Sequence, residues 1–195
     1  MTDWFTGDMH FGHKNILKYC PRPWDDVDAM DEGLIERWNT MVQPDDAVYI
    51  LGDVAFCGPE KATRLVQRLN GKLHLIVGNH DHRNLKSGMF RSCFLWIEQL
   101  KEIRVRDESA HRGWQAIVLC HYAMRVWNRS HYGVPQLHGH SHATLPPLGR
   151  SLDVGVDAWN WFPASYEEVK WRLRGCEVYA PEMSHQPKSE GGSSE

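Results

Sequence analysis

Three short apolar runs near the start of the chain each stop at a glycine followed by an acid or an amide. Residues 3–7, 46–51 and 73–77 are rich in Val, Ile, Leu and aromatic residues, and Gly7, Gly52 and Gly78 close them. Runs this short, bounded this way, read as buried strands rather than helices. Between the first two, DAMDEGLIERWNTMV sets Met30, Leu34, Ile35, Trp38 and Met41 on one helical face. PEKATRLVQRLN, residues 59–70, carries a proline in the first turn of a second expected helix and leads through Gly71 into the third strand. Two βαβ units of this kind predict a parallel sheet. Beyond residue 90 the pattern becomes β-rich: SCFLWIEQL, EIRVRD, WQAIVLCH, PQLHGH and RSLDVGVD read as strands, His111 to Trp114 as a hairpin turn, and SYEEVKWRL as a closing helix. The expected class is α/β, in a single domain over residues 1–180. The tail over 181–195 holds almost nothing apolar and is expected to be disordered.

Composition changes the picture in two ways. With 195 residues, 42% hydrophobic, and a formal charge of −3, the chain suits one core and lacks the excess of basic residues that marks a nucleic-acid binder. Its twelve histidines are many for this length, and most cluster around residues 10–13, 74–82 and 121–142, which makes metal or acid–base chemistry worth testing. The five cysteines, at 20, 57, 93, 120 and 176, are odd in number and never form a CxxC pair, so neither a disulfide framework nor a closed zinc site is expected. That usage and the absence of a leader-like or long apolar segment point to a cytoplasmic protein that does not enter a membrane.

The residues at the strand ends are the chemical signal. The first strand runs into Gly7-Asp8-Met9-His10, the second into Gly52-Asp53, the third into Gly78-Asn79-His80-Asp81, a later one into Cys120-His121, and another into His138-Gly139-His140-Ser141-His142. Ligands bind at the carboxyl ends of strands in open α/β sheets, so the sheet would converge these groups. Asp8, His10, Asp53, Asn79, His121, His140 and His142 make seven potential donors, more than one four-coordinate ion uses and enough for two if a carboxylate bridges. Two ions about 3.5–4 Å apart clamp the attacking and leaving oxygens of phosphoryl transfer. Mixed imidazole, carboxylate and amide donors suit Mn, Fe, Ni, Co or Zn better than Ca or Mg, with Mn the first choice.

In order, GDMH, GDV, GNHD, CHY and HGHSH resemble the five signature blocks of the calcineurin-like metallophosphoesterases, over residues 5 to about 160. The resemblance implies a two-sheet β-sandwich flanked by helices with a dinuclear centre at its loop ends. It implies that Asp8, His10, Asp53 and His142 hold one ion and that Asp53, Asn79, His121 and His140 hold the other, with Asp53 bridging. It further implies attack by a water whose pKa falls toward about 7 on coordination, protonation of the leaving oxygen by His80, and orientation of the His80 ring by Asp81.

The second block reads GDVAFCG, without the Asp-Arg-Gly extension of the phosphoprotein phosphatases, and the third reads GNHD rather than GNHE. These departures favour the small bacterial and phage-type branch. The expected activity is hydrolysis of phosphodiesters, nucleotide or nucleic-acid derived, with a small-molecule phosphomonoesterase as the alternative. A non-catalytic scaffold with this fold is the third reading, and the intact set of donors with His80 argues against it. Further candidates for substrate contact are His13, after the first donor loop, and Arg125, Arg129 and His131 in RVWNRSHYG, where cations and rings lie between two donor blocks. His74 and Cys120 read as structural.

Overall fold

The computed structural model describes residues 1–179 and 181; the expected tail beyond Pro181 lies outside the described residues. Two mixed sheets pack face to face with helices outside them. The first sheet has the order β4-β3-β2-β1-β9. Strands β1 (Asp3–Thr6), β2 (Ala47–Ile50), β3 (Lys72–Ile76) and β4 (Ile97–Glu98) run parallel, and β9 (Ala164–Ser165) pairs antiparallel to β1. The second sheet has the order β5-β6-β7-β8. Here β5 (Leu100–Arg106) and β6 (Trp114–Cys120) form the antiparallel hairpin, while β7 (Gln136–His138) and β8 (Ser151–Asp153) continue in parallel.

Side-chain alternation explains why the first sheet is buried on both faces. Trp4, Val48, Ile50 and Leu75 point to a core shared with α2 (Val27–Met41) and α3 (Pro59–Val66). Phe5 and Ile76 point to the other side, where they meet Val105, Ile117, Leu119 and Leu137 of the second sheet. The face of α2 that packs inward carries Met30, Leu34, Ile35 and Trp38, as the periodicity predicts, while Met41, also expected there, is exposed at the helix end; Asp26 caps its start by accepting from the Ala29 amide at 2.8 Å. α5 (Tyr166–Leu173) begins in a reciprocal Ser165–Glu168 capping box.

The elements depart from the sequence reading in several places; of RSLDVGVD, only Ser151–Asp153 is strand and Val156–Ala158 form a 3₁₀ turn. α3 ends at Val66, short of residue 70. A one-turn helix, α1 (Ile16–Tyr19), follows the first donor loop. The stretch SCFLWIEQL is mostly not a strand: α4 (Gly88–Arg91) and a turn precede it, only Ile97–Glu98 join the first sheet, and Leu100 already begins β5. Phe90 and Phe94 pack edge to face at 5.3 Å into the helix-side core, so local packing rather than pairing absorbs this apolar run. Among the described residues no helix is long and apolar enough to cross a membrane.

Candidate metal centre

The loops that leave β1 and β2 continue side by side beyond the sheet. The Asp8 amide donates to Gly52 O at 3.0 Å, His10 to Asp53 O at 3.0 Å, and Phe11 to Val54 O at 3.0 Å. This ribbon holds Asp8, His10 and Asp53 in left-handed backbone conformation, with φ of 54°, 53° and 53°. His140 and His142 share it, with φ of 67° and 46°. Each such residue costs about 1–3 kcal/mol, and strain of this kind collects where a side chain must be aimed. Five of the seven expected donors carry it.

Close approach explains the glycines. A β-carbon on Gly78 would lie 2.2 Å from Asp53 Oδ1, and Gly52, at φ +90°, would press on the His121 ring at 2.5 Å. Only bare backbone lets the third strand end reach Asp53.

Two groups of donors form. Asp8, His10 and His142 offer atoms within 4.8 Å of one another, as do Asp53, His121 and His140. Asp53 Oδ2 stands between them, 3.6 Å from His10 Nε2 and 3.7 Å from His121 Nε2. Asn79 Oδ1 lies 2.9 Å from His121 Nε2. The structure therefore brings together all seven expected donors.

The protonation pattern fits a cation. His121 Nδ1 sits 2.6 Å from Leu51 O, an acceptor only, so Nδ1 carries the proton. Its Nε2 then presents a lone pair to the oxygens of Asn79 and Asp53, three acceptors facing one another without a proton. Asp8 Oδ1 and both ring nitrogens of His10 are buried and without hydrogen-bond partners, an arrangement that costs free energy unless something positive fills it. Burial, reinforced by Asp153 and Asp53, pushes the Asp8 carboxyl well above its ordinary range. Burial, with His142 and Arg22 nearby, drops the His10 imidazole to about 2, and burial also lowers His121. The imidazoles are thus held neutral and the carboxylate under electrostatic stress. A divalent ion uses the first and relieves the second.

Two buried residues, Arg22 and Asp153, and the half-buried Asp157, none singled out by the sequence motifs, hold these loops. Arg22 forks onto Asp157 at 2.9 and 2.8 Å and donates to the carbonyls of Met9 at 2.8 Å and Asp8 at 2.7 Å. Asp157 in turn accepts from His142 Nδ1 at 2.7 Å, which leaves Nε2 as the donor atom. Burial alone would raise the Asp157 carboxyl, but the hydrogen bonds from His142 and Arg22 outweigh it and hold it at about 2. Cys20 also lies within 4.8 Å of His142 and Asp157, where burial and the Asp157 charge push its thiol up to about 11, so it remains a thiol. Asp153 ties the last donor loop, accepting from Ser141 Oγ at 2.6 Å, the Ala143 amide at 3.0 Å and the Gly155 amide at 2.7 Å.

His80 sits at the rim. Its amide donates to Asp53 Oδ1 at 2.9 Å, its Nε2 lies 4.0 Å from Asp53 Oδ2, and its side chain is 40% exposed. Asp81 differs from the expectation that it orients the His80 ring. Its carboxylate is buried and accepts from the amides of Asp53 at 2.9 Å, Val54 at 2.9 Å and Gly78 at 2.8 Å. Asp81 begins a 3₁₀ turn, and its side chain reaches back under the Asp53 loop, so it braces that loop instead.

The other candidates are placed as follows. His13 stacks on Phe56, with centroids 4.1 Å apart, and lies 5.3 Å from His10. Arg125 is exposed and lines a cavity of about 500 Å³ with Met124, His138 and Leu145. Arg129 is engaged with Glu102 of β5, which also accepts from Asn128 at 2.7 Å, so its charge is already matched. His131 packs on Tyr132 at 4.1 Å. His74 is wedged between Tyr49 and Trp96, each at 4.9 Å, away from the centre.

The fold is thus a two-sheet sandwich with imidazoles and carboxylates converging at its loop ends. The calcineurin-like phosphoesterase family matches residues 1–175, and the chain belongs to it. It is 32% identical over 171 residues to an uncharacterized protein of Methanocaldococcus jannaschii, covering 83% of this chain and 85% of that one. It is 29% identical over 180 residues to the Gene 66 protein of Mycobacterium phage L5, covering 80% and 86%. Among solved structures, a protein of unknown function from Aquifex aeolicus superposes with a TM-score of 0.64 at 20% identity, covering 88% of this chain and 98% of its own; that likeness shows the fold.

Proposed function

We propose that the chain is a phosphodiesterase with a two-ion centre. Asp8, His10, Asp53 and His142 hold one ion, and Asp53, Asn79, His121 and His140 hold the other. The observation that carries the reading is the position of Asp53 Oδ2, between His10 Nε2 at 3.6 Å and His121 Nε2 at 3.7 Å. When bound, the ions supply a nucleophilic water at neutral pH and positive charge for the phosphoryl oxygens. His80, at the exposed edge of the same carboxylate, donates the proton that the leaving oxygen takes up. Asp81, Asp153 and Asp157 aim the donors.

The preference for diesters is supported by how the arginines are used. A monoester dianion is best matched by a guanidinium fork. Arg22, which touches the donor loops, is buried beneath them with its donors committed to Asp157 and two carbonyls, Arg129 is engaged with Glu102, and the exposed Arg83 and Arg125 line cavities of their own. A diester carries one charge fewer and needs help chiefly with its departing alkoxide, which His80 supplies. Nucleotide or nucleic-acid derived diesters are the favoured substrates. The histidine-rich donor set favours Mn²⁺ or another transition ion over Mg²⁺. Five unpaired cysteines suit a reducing, cytoplasmic setting.

The test is exhaustive chelation followed by addition of single metals, with bis(p-nitrophenyl) phosphate and p-nitrophenyl phosphate assayed at one pH. Loss of activity on chelation, recovery with Mn²⁺ but not with Mg²⁺ alone, and faster diester hydrolysis are expected. A monoester kcat/KM about tenfold above the diester's overturns the diester preference, and full activity after chelation overturns the metal centre.

A further inference from the structure

The donor clusters and His80 account for bond cleavage but leave a cavity of about 320 Å³ beside them without a role. Its walls include Asn79 and His80, which also face the metal centre, together with Phe56, His82 and Arg83. We propose that this cavity receives the leaving arm of the substrate, and that the arm is a nucleotide whose base stacks on Phe56 and whose own further phosphate binds Arg83. The assignment rests on the phosphodiesterase reading above.

Position comes first. A general acid must lie within hydrogen-bond reach of the oxygen that departs, so the departing group occupies the side of the centre on which His80 stands. His80 is the wall shared by centre and cavity: one edge faces Asp53 Oδ2 at 4.0 Å, and its ring meets Phe56 edge to face at 4.9 Å.

Phe56 is built as a platform. Its ring is 47% exposed, yet its backbone is fixed, because the Phe56 amide donates to Phe11 O at 2.8 Å and the neighbouring Ala55 carbonyl accepts from Asn84 Nδ2 at 3.0 Å. The ring lies against His13, with planes 21° apart. A pre-ordered aromatic surface beside a phosphoester site is what a base uses, since every base offers a π-face and stacking contributes about 1–3 kcal/mol.

Arg83 supplies the charge. It is exposed, and among the described residues no carboxylate pairs with it. The acid two residues before it, Asp81, is buried and bound to three backbone amides. His82 lines the cavity beside it, and Lys86 lies further along the same turn. A guanidinium matches a phosphate in fork geometry, and the cavity volume lies at the small end of the range for small-molecule pockets, suited to one nucleotide rather than a long strand.

The reaction adds one water. The water oxygen bonds to phosphorus while the bond from phosphorus to the leaving oxygen breaks. That oxygen takes a proton from His80 and departs as an alcohol bearing its base and phosphate. The retained arm leaves as a monoester. The proton lost by the water passes to solvent, and His80 is reprotonated from solvent.

The experiment uses the Mn²⁺-loaded full chain and three diesters: a dinucleoside monophosphate, the same compound with a terminal phosphate at its 5′ or its 3′ end, and bis(p-nitrophenyl) phosphate. A terminal phosphate at one end is expected to raise kcat/KM about tenfold, the size of one charge-assisted contact. Arg83→Gln should bring that ratio to within about twofold of unity, and Phe56→Ala should raise KM for the dinucleotides about fivefold or more. Melting temperature and metal content establish that both variants are folded and loaded. If bis(p-nitrophenyl) phosphate is hydrolysed but the terminal phosphate makes no difference, or the ratio survives Arg83→Gln, the inference is overturned while the phosphodiesterase reading stands. If no diester is hydrolysed, that reading falls and takes the inference with it.

Discussion

The cluster of Asp8, His10 and His142 is held by a buried ion pair, whereas that of Asp53, His121 and His140 is held by a main-chain carbonyl and by a carboxylate, Asp81, whose partners are uncharged backbone amides. In the first, Arg22 forks onto Asp157, Asp157 accepts from His142, and the same guanidinium grips the carbonyls of Asp8 and Met9. In the second, the Leu51 carbonyl orients His121, and Asp81 braces the Asp53 loop through three amides. A carboxylate behind an imidazole raises its basicity more than a carbonyl does. The first cluster thus has the stronger imidazole donor but depends on a charge that must stay paired, since breaking a buried pair costs about 3–5 kcal/mol. The second depends on one main-chain carbonyl and on the Asp81 carboxylate, whose exchange would release three amides at once.

The greatest effect should come from the residue proposed to bridge the clusters. Asp53→Asn removes the charge between them, and turnover should fall below detection with loss of metal from both; retention of two ions per chain by elemental analysis would break the idea of a common bridge. His80→Ala lies outside both clusters and should keep the metal content while kcat falls about 10²–10⁴-fold; an unchanged kcat would remove His80 from the chemistry. Asp157→Asn separates the clusters. Metal affinity should weaken about 10–100-fold at one site of two in a calorimetric titration, and equal weakening at both would show that the ion pair serves the whole centre. The smallest effect is expected of His74→Phe, a histidine on β3 stacked between Tyr49 and Trp96. Its kcat should match the parent, and a large loss would mean that histidines outside the clusters take part.

How far the sequence foretold this depends on the kind of residue. Strands β1 to β3 were legible because a sheet buried on both faces reads as unbroken apolar runs, and the donors were legible because each follows such a run. The stretch around Phe94 misleads for the same reason: a short apolar run does not distinguish a strand from a packed turn. Arg22 and Asp157 were silent, since an arginine between prolines and an aspartate after a strand match no motif, and their meaning lies in a contact 135 positions apart. Asp81 shows a third case. Its neighbour in sequence is His80, but a turn directs its side chain under a different loop.

That span has a consequence for how the molecule is assembled. The His140 amide reaches Asp8 across 132 positions, and both donor clusters draw on each sheet. Neither can close until the first strand and the later hairpin partners have met, an entropically slow, non-local event. Occupancy of the centre is therefore a record of completed folding. A divalent ion that binds only the finished chain adds stability by mass action, about 2.7 kcal/mol at a hundred times its dissociation constant, so scarcity of metal would be felt as a shorter-lived protein as well as an idle one.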